Sequence, residues 1–506
     1  MRSAILPIVL GATARVVAQQ PASYELVPSD PVAWQVPMDL GGGNMCYATQ
    51  HIFDNDSMRF ELMWTDADKT VTHATAFRME PIGSIVNLMD AVHLTNGFVM
   101  TAFISGGPVW TEVLAVDEQG EVLWGKTLTN VYRQSQTAGL LIPRGNLFTL
   151  YGQGGGSNYD GFARVEADIT GTQWTGINMQ PPDSAQYTLY SAFPTAVPSV
   201  HMAYGTGVQW NDMPNWKTVV MQTSDTGAVW MRMYTMPPEH TVPNDPYDMR
   251  PTTDGNYICS GGYRENNWLD NRGYLMKLDP GGDVLWCRVY ADTSGYFTLN
   301  SVVELPGGDL LAAGQAYGSR CVLLRIAPDG TMIGQRRLSL PDTTWNTIGK
   351  FAVNTLGAYT LAIRNRLIGL SAEGETCDLV AYSGVTDSLF MPTVTSVDLA
   401  NVPFTPTMDT LTVEPRTPSL SWQQSCLNDA ITEPASEELK VYPNPTEGMV
   451  FLEGLRPHER VVVLASDGTR VYDGPCSGTL RLAGHSAGVY VVHLPRTGQR
   501  VLLLKR

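Results

Sequence analysis

Positive charge is scarce in this chain. Its 506 residues carry 33 lysines and arginines against 49 aspartates and glutamates, a net charge of −16. That balance repels nucleic-acid backbones and anionic membranes, so neither is expected as a partner. No apolar run reaches the roughly 18 residues that cross a bilayer, so no transmembrane segment is expected. Cysteine is sparse: Cys46, Cys259, Cys287, Cys321, Cys377, Cys426 and Cys476 show no Cys-x-x-Cys spacing, and a zinc site is not expected. The histidines fall in no His-Glu-x-x-His or other compact metal pattern. The glycine runs at Gly41–Gly43 and Gly154–Gly156 lack a following lysine and helix, so they do not read as phosphate cradles. What is plentiful is turn chemistry and apolar surface. The chain has 48 glycines, 33 prolines and 43% hydrophobic residues, enough for a core interrupted by many turns.

The amino end reads Met1-Arg2, an apolar run from Ala4 to Ala12, and small-x-small exits at Ala12-Thr13-Ala14 and Val16-Val17-Ala18. This is the pattern of a secretory signal peptide over 1–18, cleaved after Ala14 or Ala18. Export places the cysteines in an oxidising setting.

The body repeats itself. VWTEVLAVDEQGEVLWGKTL (109–128) and GYLMKLDPGGDVLWCRVY (273–290) share a strand, an Asp-x-x-Gly turn and a second strand with Leu-Trp. The turn glycine recurs at Gly83, Gly120, Gly171, Gly227, Gly282, Gly330 and Gly374, a period of about 48 residues. Further glycine turns at Gly97, Gly145, Gly255, Gly308 and Gly357 enter an upstream strand. The fold expected is all-β: a β-propeller of about seven four-stranded blades over 46–425, six or eight remaining open. Either 19–45, as a ring-closing strand, or the strand-like stretch 385–425 is expected to complete the last blade. Small residues in Ile258–Gly262 and Leu311–Gly314 are expected near the central axis. Trp124, Trp174, Trp230 and Trp286 recur after the turns and read as packing between blades. Trp64, Trp110, Trp210, Trp216, Trp268 and Trp345 are candidates for stacking on sugars.

An acidic, proline-containing linker over 426–438 leads to 439–506, whose short alternating segments predict a small Ig-like β-sandwich. Pro443 and Pro445 remove two backbone donors beside Asn444 and kink an edge strand. Gly468 and Gly488 are expected at positive φ in hairpins. Tyr442-Pro443-Asn444-Pro445 with Gly448, then Asp467-Gly468, then Gly488 and Tyr490, and a basic end at Lys505, resemble the type A carboxyl-terminal sorting domain of Bacteroidetes type IX secretion cargo. The resemblance implies passage of the outer membrane and, as partners, the type IX translocon and its sortase.

Gly484-His485-Ser486-Ala487-Gly488 matches the G-x-S-x-G elbow of serine hydrolases. It precedes a strand rather than a helix, so Ser486 is expected to be dispensable. Residues 115–124 are similar to the tryptophan-docking repeat of quinoprotein propellers, which implies a structural girdle; no cofactor is expected. The acidic turns Asp54-Asn55-Asp56 and Asp225-Thr226-Gly227 supply too few oxygens for a calcium loop, and no metal or catalytic residue is assigned. The expected function is that of a secreted or cell-surface propeller binding protein or glycan through its loop face. The alternative is an extracellular polysaccharide- or peptide-degrading enzyme with carboxylates converging at the channel.

Overall fold

A computed structural model divides the chain into two compact units, Met1–Ser425 and Cys426–Arg506. It describes residues 23–27, 32–52, 58–67, 70–79, 85–105, 110–132, 140–154, 161–181, 185–197, 199–209, 217–236, 245–264, 271–318, 320–339, 348–353, 359–363, 366–376, 379–416, 421–424, 440–442, 446–447, 449–453, 459–466, 469–476, 478–493 and 500–506. Ala14 and Ala18, the expected signal-peptide cleavage positions, and the expected linker 426–438 lie outside them. Among the described residues there is strand and no helix, and so no helix long and apolar enough to cross a membrane.

The first unit repeats one antiparallel module of four consecutive strands. The first copy is Val32–Gly41, Asn44–Ile52, Met58–Thr65 and Val71–Met79. Further copies begin at Ile85, Leu140, Ala185, Asp245 and Phe297. The next has three consecutive strands, Ile348–Val353, Tyr359–Ile363 and Arg366–Leu370, and takes its fourth, Ser23–Val27, from the other end of the chain. The first strand of each module packs against that of the next, and Ile348–Val353 packs back on Val32–Gly41. Sheets that bury both faces on their neighbours and close in a ring make a β-propeller.

The strand count per module departs from expectation. Residues 379–424 add a fifth strand to each sheet, visiting the modules in reverse order. Leu379–Ala381 pairs with the sixth module, Val385–Phe390 with the fifth, Thr393–Val397 with the fourth and Ala400–Phe404 with the third. Met408–Thr410 pairs with the second, Val413–Arg416 with the first, and Ser421–Gln424 with Ser23–Val27 in the last. Both segments proposed to close the ring therefore take part: 23–27 is a fourth strand, and 379–424 is an outer belt. Periodicity missed the belt because its strands share no repeat with one another.

The belt is seated by shape. Phe404 fills the space left at Gly176, where a Cβ would sit 2.5 Å from its ring, and Val413 with Leu411 fills that at Gly125. Side-chain amides tie the crossings to the modules. Asn401 accepts from Ala228 N at 2.8 Å and donates to Ala228 O at 3.1 Å; Gln335 does the same for Val385 at 2.9 and 3.0 Å. Pro403 and Pro415 lie in these outermost strands, where a missing donor discourages further pairing.

The recurring tryptophans bind module to module. Trp124 donates from Nε1 to Ile169 O at 2.6 Å, and Trp286 to Pro328 O at 3.0 Å. Trp230 lies over Gly282 of the next turn (φ 84°), Trp286 over Gly330 (φ 87°). Only glycine offers both the left-handed φ and the room for the indole. Trp64, a sugar-stacking candidate in the sequence, is 7% exposed and packs in the core under Gly120. Trp110 begins a described strand but its own side chain is outside the description, as are Trp210, Trp216, Trp268 and Trp345 altogether. Gly83 does not mark the first module's third-to-fourth turn. That turn is 66–70, and residue 83 falls in the connection to the second module, outside the described residues. The small-residue stretches Ile258–Gly262 and Leu311–Gly314 belong to second strands, one removed from the axis; Gly314 there makes room for Phe297.

In the second unit, Lys440–Tyr442, Met449–Glu453 and Thr479–Arg481 form one sheet. Glu459–Ala465, Arg470–Cys476, Gly488–His493 and Arg500–Lys505 form another. Val450, Val461, Val463, Leu480, Tyr490, Val492 and Leu503 make a shared core.

Candidate functional site

The first strands line the ring interior, and five of them carry a bulge at the same height. Register shifts fall at Leu88/Asp90, Leu189/Ser191, Pro246/Asp248, Leu299/Ser301 and Ile348/Phe351. A bulge leaves one residue unopposed and re-aims its neighbours. Here the residues that follow it, Asp90, Ser191, Asp248 and Ser301, bond from module to module.

Asp248 is fully buried on the fifth module. It accepts from Ser301 Oγ of the sixth at 2.7 Å, from Ser191 Oγ of the fourth at 3.4 Å, and from Arg250 Nε at 3.2 and 3.1 Å. Ser301 Oγ in turn accepts from Phe351 N of the seventh at 2.9 Å, and Arg250 donates to Phe351 O at 2.8 Å. Asp90 accepts from Leu141 N of the third module at 2.8 Å and from Ala91 N at 2.9 Å. Gln50 of the first accepts from Leu88 N of the second at 2.8 Å. Lys350 of the seventh reaches the fourth, donating to Tyr190 O at 2.9 Å. Burial pushes the Asp90 carboxyl up to about 6, against the pull of Lys350, and burial lowers the Lys350 ammonium against the pull of Asp248 and Asp90. Both carboxylates are thus engaged by neighbouring groups, Asp248 fully buried and Asp90 half-buried.

None of these residues stands out in the sequence as a site. A signal was present: a polar residue recurs two positions after Leu88, Leu189, Pro246 and Leu299. It was weak because Asp and Ser are also ordinary turn residues.

Among the described residues no group of three His, Cys, Asp or Glu side chains is placed to hold a metal. Asp225, considered for calcium, instead accepts from Arg164 at 2.8 Å. Cys46, Cys259, Cys287, Cys321 and Cys476 are free and buried, while Cys377 and Cys426 lie outside description. A groove of about 340 Å³ on the outer rim is lined by Trp230, Arg232, Val397 and Asp398; Arg232 there is paired with Asp283.

In the second unit the described motif residues Gly488, Tyr490 and Lys505 lie near one another. Thr446, next to Pro445, donates from its backbone N to Leu504 O at 2.8 Å and accepts from Arg506 N at 3.0 Å. Gly488 pairs with Lys505, whose ammonium donates to His485 O, and Tyr490 Oη donates to Ser486 O at 2.6 Å. Tyr442 ends the first strand of the unit, with its side chain outside description. Pro443, Asn444, Pro445, Gly448, Asp467 and Gly468 lie outside the described residues. Gly488 is not a positive-φ residue as expected; it opens a strand, and Gly484 takes that role at φ 93°. Ser486 sits on the exposed turn between two strands, not at a strand-to-helix elbow.

No protein-family model matches the chain, and no curated protein matches it in sequence. Among solved structures, a europium-containing methanol dehydrogenase is similar over 68% of this chain and 84% of that one, at 10% identity and a TM-score of 0.37. A GH93 α-L-arabinofuranosidase of Fusarium graminearum is similar over 71% and 98%, at 10% identity and 0.40. PorZ, a surface component of the type IX secretion system of Porphyromonas gingivalis, is similar over 92% and 74%, at 9% identity and 0.25. At such scores none of them says what this chain does.

Proposed function

We propose that this chain is a secreted or cell-surface propeller of seven five-stranded blades that binds a protein or glycan and does not cleave it. The observation that carries the reading is the commitment of the channel carboxylates. Asp248 is paired with Arg250 and bonded by two serines, and Asp90 accepts from backbone N–H groups. General acid–base work needs a carboxyl within reach of substrate, with its proton free to move. A braced interior instead gives a rigid ring that presents loops.

Export is the second part of the proposal. The signal peptide over 1–18 takes the chain across the inner membrane. The Ig-like sandwich over 439–506 then engages the type IX translocon and sortase through Tyr442, Pro443, Asn444, Pro445, Gly448, Asp467, Gly468, Gly488, Tyr490 and Lys505. The convergence of Thr446, Gly488, Tyr490 and Lys505 on one end supports a single recognition surface. Fractionation of cells expressing the full chain and a chain lacking 436–506 tests this. The full chain is expected outside the cell or on its surface, and the truncated chain in the periplasm. Equal release of both would overturn the sorting assignment.

A further inference from the structure

Where the fifth and sixth modules meet, at the end of the first strands that carries the long loops, polar side chains gather that the brace does not use. Arg264 and Asn271 are cross-strand partners, so their side chains rise from the same face of the fifth module. Asp245 lies on the adjoining strand and pairs with Arg264 at 3.5 Å. That face meets the sixth module, because Gly262 on it abuts Thr298, and Asn271 bridges Tyr296. Tyr247 and Tyr190 are the residues that the bulges leave unopposed on the fifth and fourth modules. Both are half-buried, as is Tyr296, and the Asp245 charge acts on Tyr190 and Tyr247. Tyr190 is held by a hydrogen bond to Thr206.

One acceptor in this group is out of place for a structural cluster. Asn271 is 4% exposed, yet its Oδ1 has no hydrogen-bond partner. Buried acceptors left unpaired are rare in native proteins and call for an explanation. An acceptor waits for a donor. Sulfate and ionised carboxylate bring none and phosphate at most one or two, so an anion answers it poorly. The Asp245–Arg264 pair cancels in charge, which favours a neutral ligand. A sugar meets both conditions: its hydroxyls donate to Asn271 Oδ1 and Asp245, accept from Arg264, and its C–H face lies on tyrosine rings.

We propose that Asp245, Arg264, Asn271, Tyr190, Tyr247 and Tyr296 form a subsite for one ring of a neutral glycan. This rests on the binding reading above and names its ligand class. The test uses the mature full chain with cello-, xylo-, manno-, galacto- and chito-oligosaccharides, followed by calorimetry and ligand-observed NMR. At least one of them is expected to bind, and Asn271→Leu and the isosteric Asp245→Asn are each expected to weaken it by about tenfold or more. The melting temperature of Asn271→Leu is expected to hold or rise, an outcome that a purely structural asparagine would not give. Should Asn271→Leu fail to fold, Asp245→Asn decides alone. Binding by none of the five series would overturn the subsite. So would binding that both variants retain, which moves the sugar elsewhere and leaves the binding reading standing. Release of new reducing ends by the wild type would overturn the binding reading instead.

Discussion

Glu112 is a carboxyl whose protonation the fold controls. It is 1% exposed in the core between the first and second modules; Oε2 accepts from Thr127 at 2.5 Å and Oε1 has no partner. Burial pushes its carboxyl from 4.5 up to about 7, opposed only by the Thr127 bond. The folded state therefore keeps a proton that the unfolded state has lost. The stability this contributes is present below about pH 4.5 and is lost as pH climbs through 7. His201 runs the other way. Burial first, and then Arg164, lowers it to about 4, so its contribution is full above 6.5 and falls as pH drops toward 4. Comparing wild type with Glu112→Gln cancels the histidine. The variant's stability relative to wild type is expected to rise by about 3 kcal/mol between pH 4.5 and 8 in urea melts. A gap that stays constant with pH would mean that Glu112 titrates normally.

The same residue shows why single positions were hard to read. Glu61 and Glu112 occupy matching places in the third strands of the first two modules, and both are buried. In sequence each is one acidic residue in an alternating strand, which reads as its solvent face. Burial of both faces of each sheet follows only once the ring closes.

At the scale of elements, the modules were legible and the belt was not. The turn glycines and the tryptophans recur because each module repeats the same packing problem: an indole laid over the next module's left-handed turn, as with Trp230 on Gly282. Period alone located that. The belt strands Thr393–Val397 and Ala400–Phe404 are largely exposed and meet their modules over one edge, so no common pattern is imposed on them. The compensating signal sits on the partner: Gly125 and Gly176, glycines within fourth strands, where the cost of glycine has to be justified by a close approach. The last module depends most on the belt, since Ser23–Val27 lies between Arg366–Leu370 and Ser421–Gln424. A chain ending at 378 is therefore expected to leave that sheet short and the fourth-strand edges bare. Against a chain ending at 424, it should melt at least 10 °C lower, on the order of several kcal/mol, and self-associate in sedimentation runs. Equal melting would show that the belt is ornamental to the ring.

At the scale of the whole molecule, the ring interior joins its modules through side chains and the belt joins them through strands. Asp90, Asp248, Ser301 and Lys350 link first strands across successive or opposite modules, Gln50 ties the first module's second strand to the second module, and 379–424 runs round the rim. Such a body is braced at its axis, which suits recognition by the loops it carries. The channel carboxylates are the point at which binding and cleavage part company. The most direct measurement is product release: the mature protein incubated with polysaccharides and peptides, with new reducing ends and new amino termini counted over time. The expected result is retention of a ligand with no product above a blank. Turnover by the wild type that disappears in Asp248→Asn or Asp90→Asn, with those variants still folded, would contradict the brace and make the channel an active site.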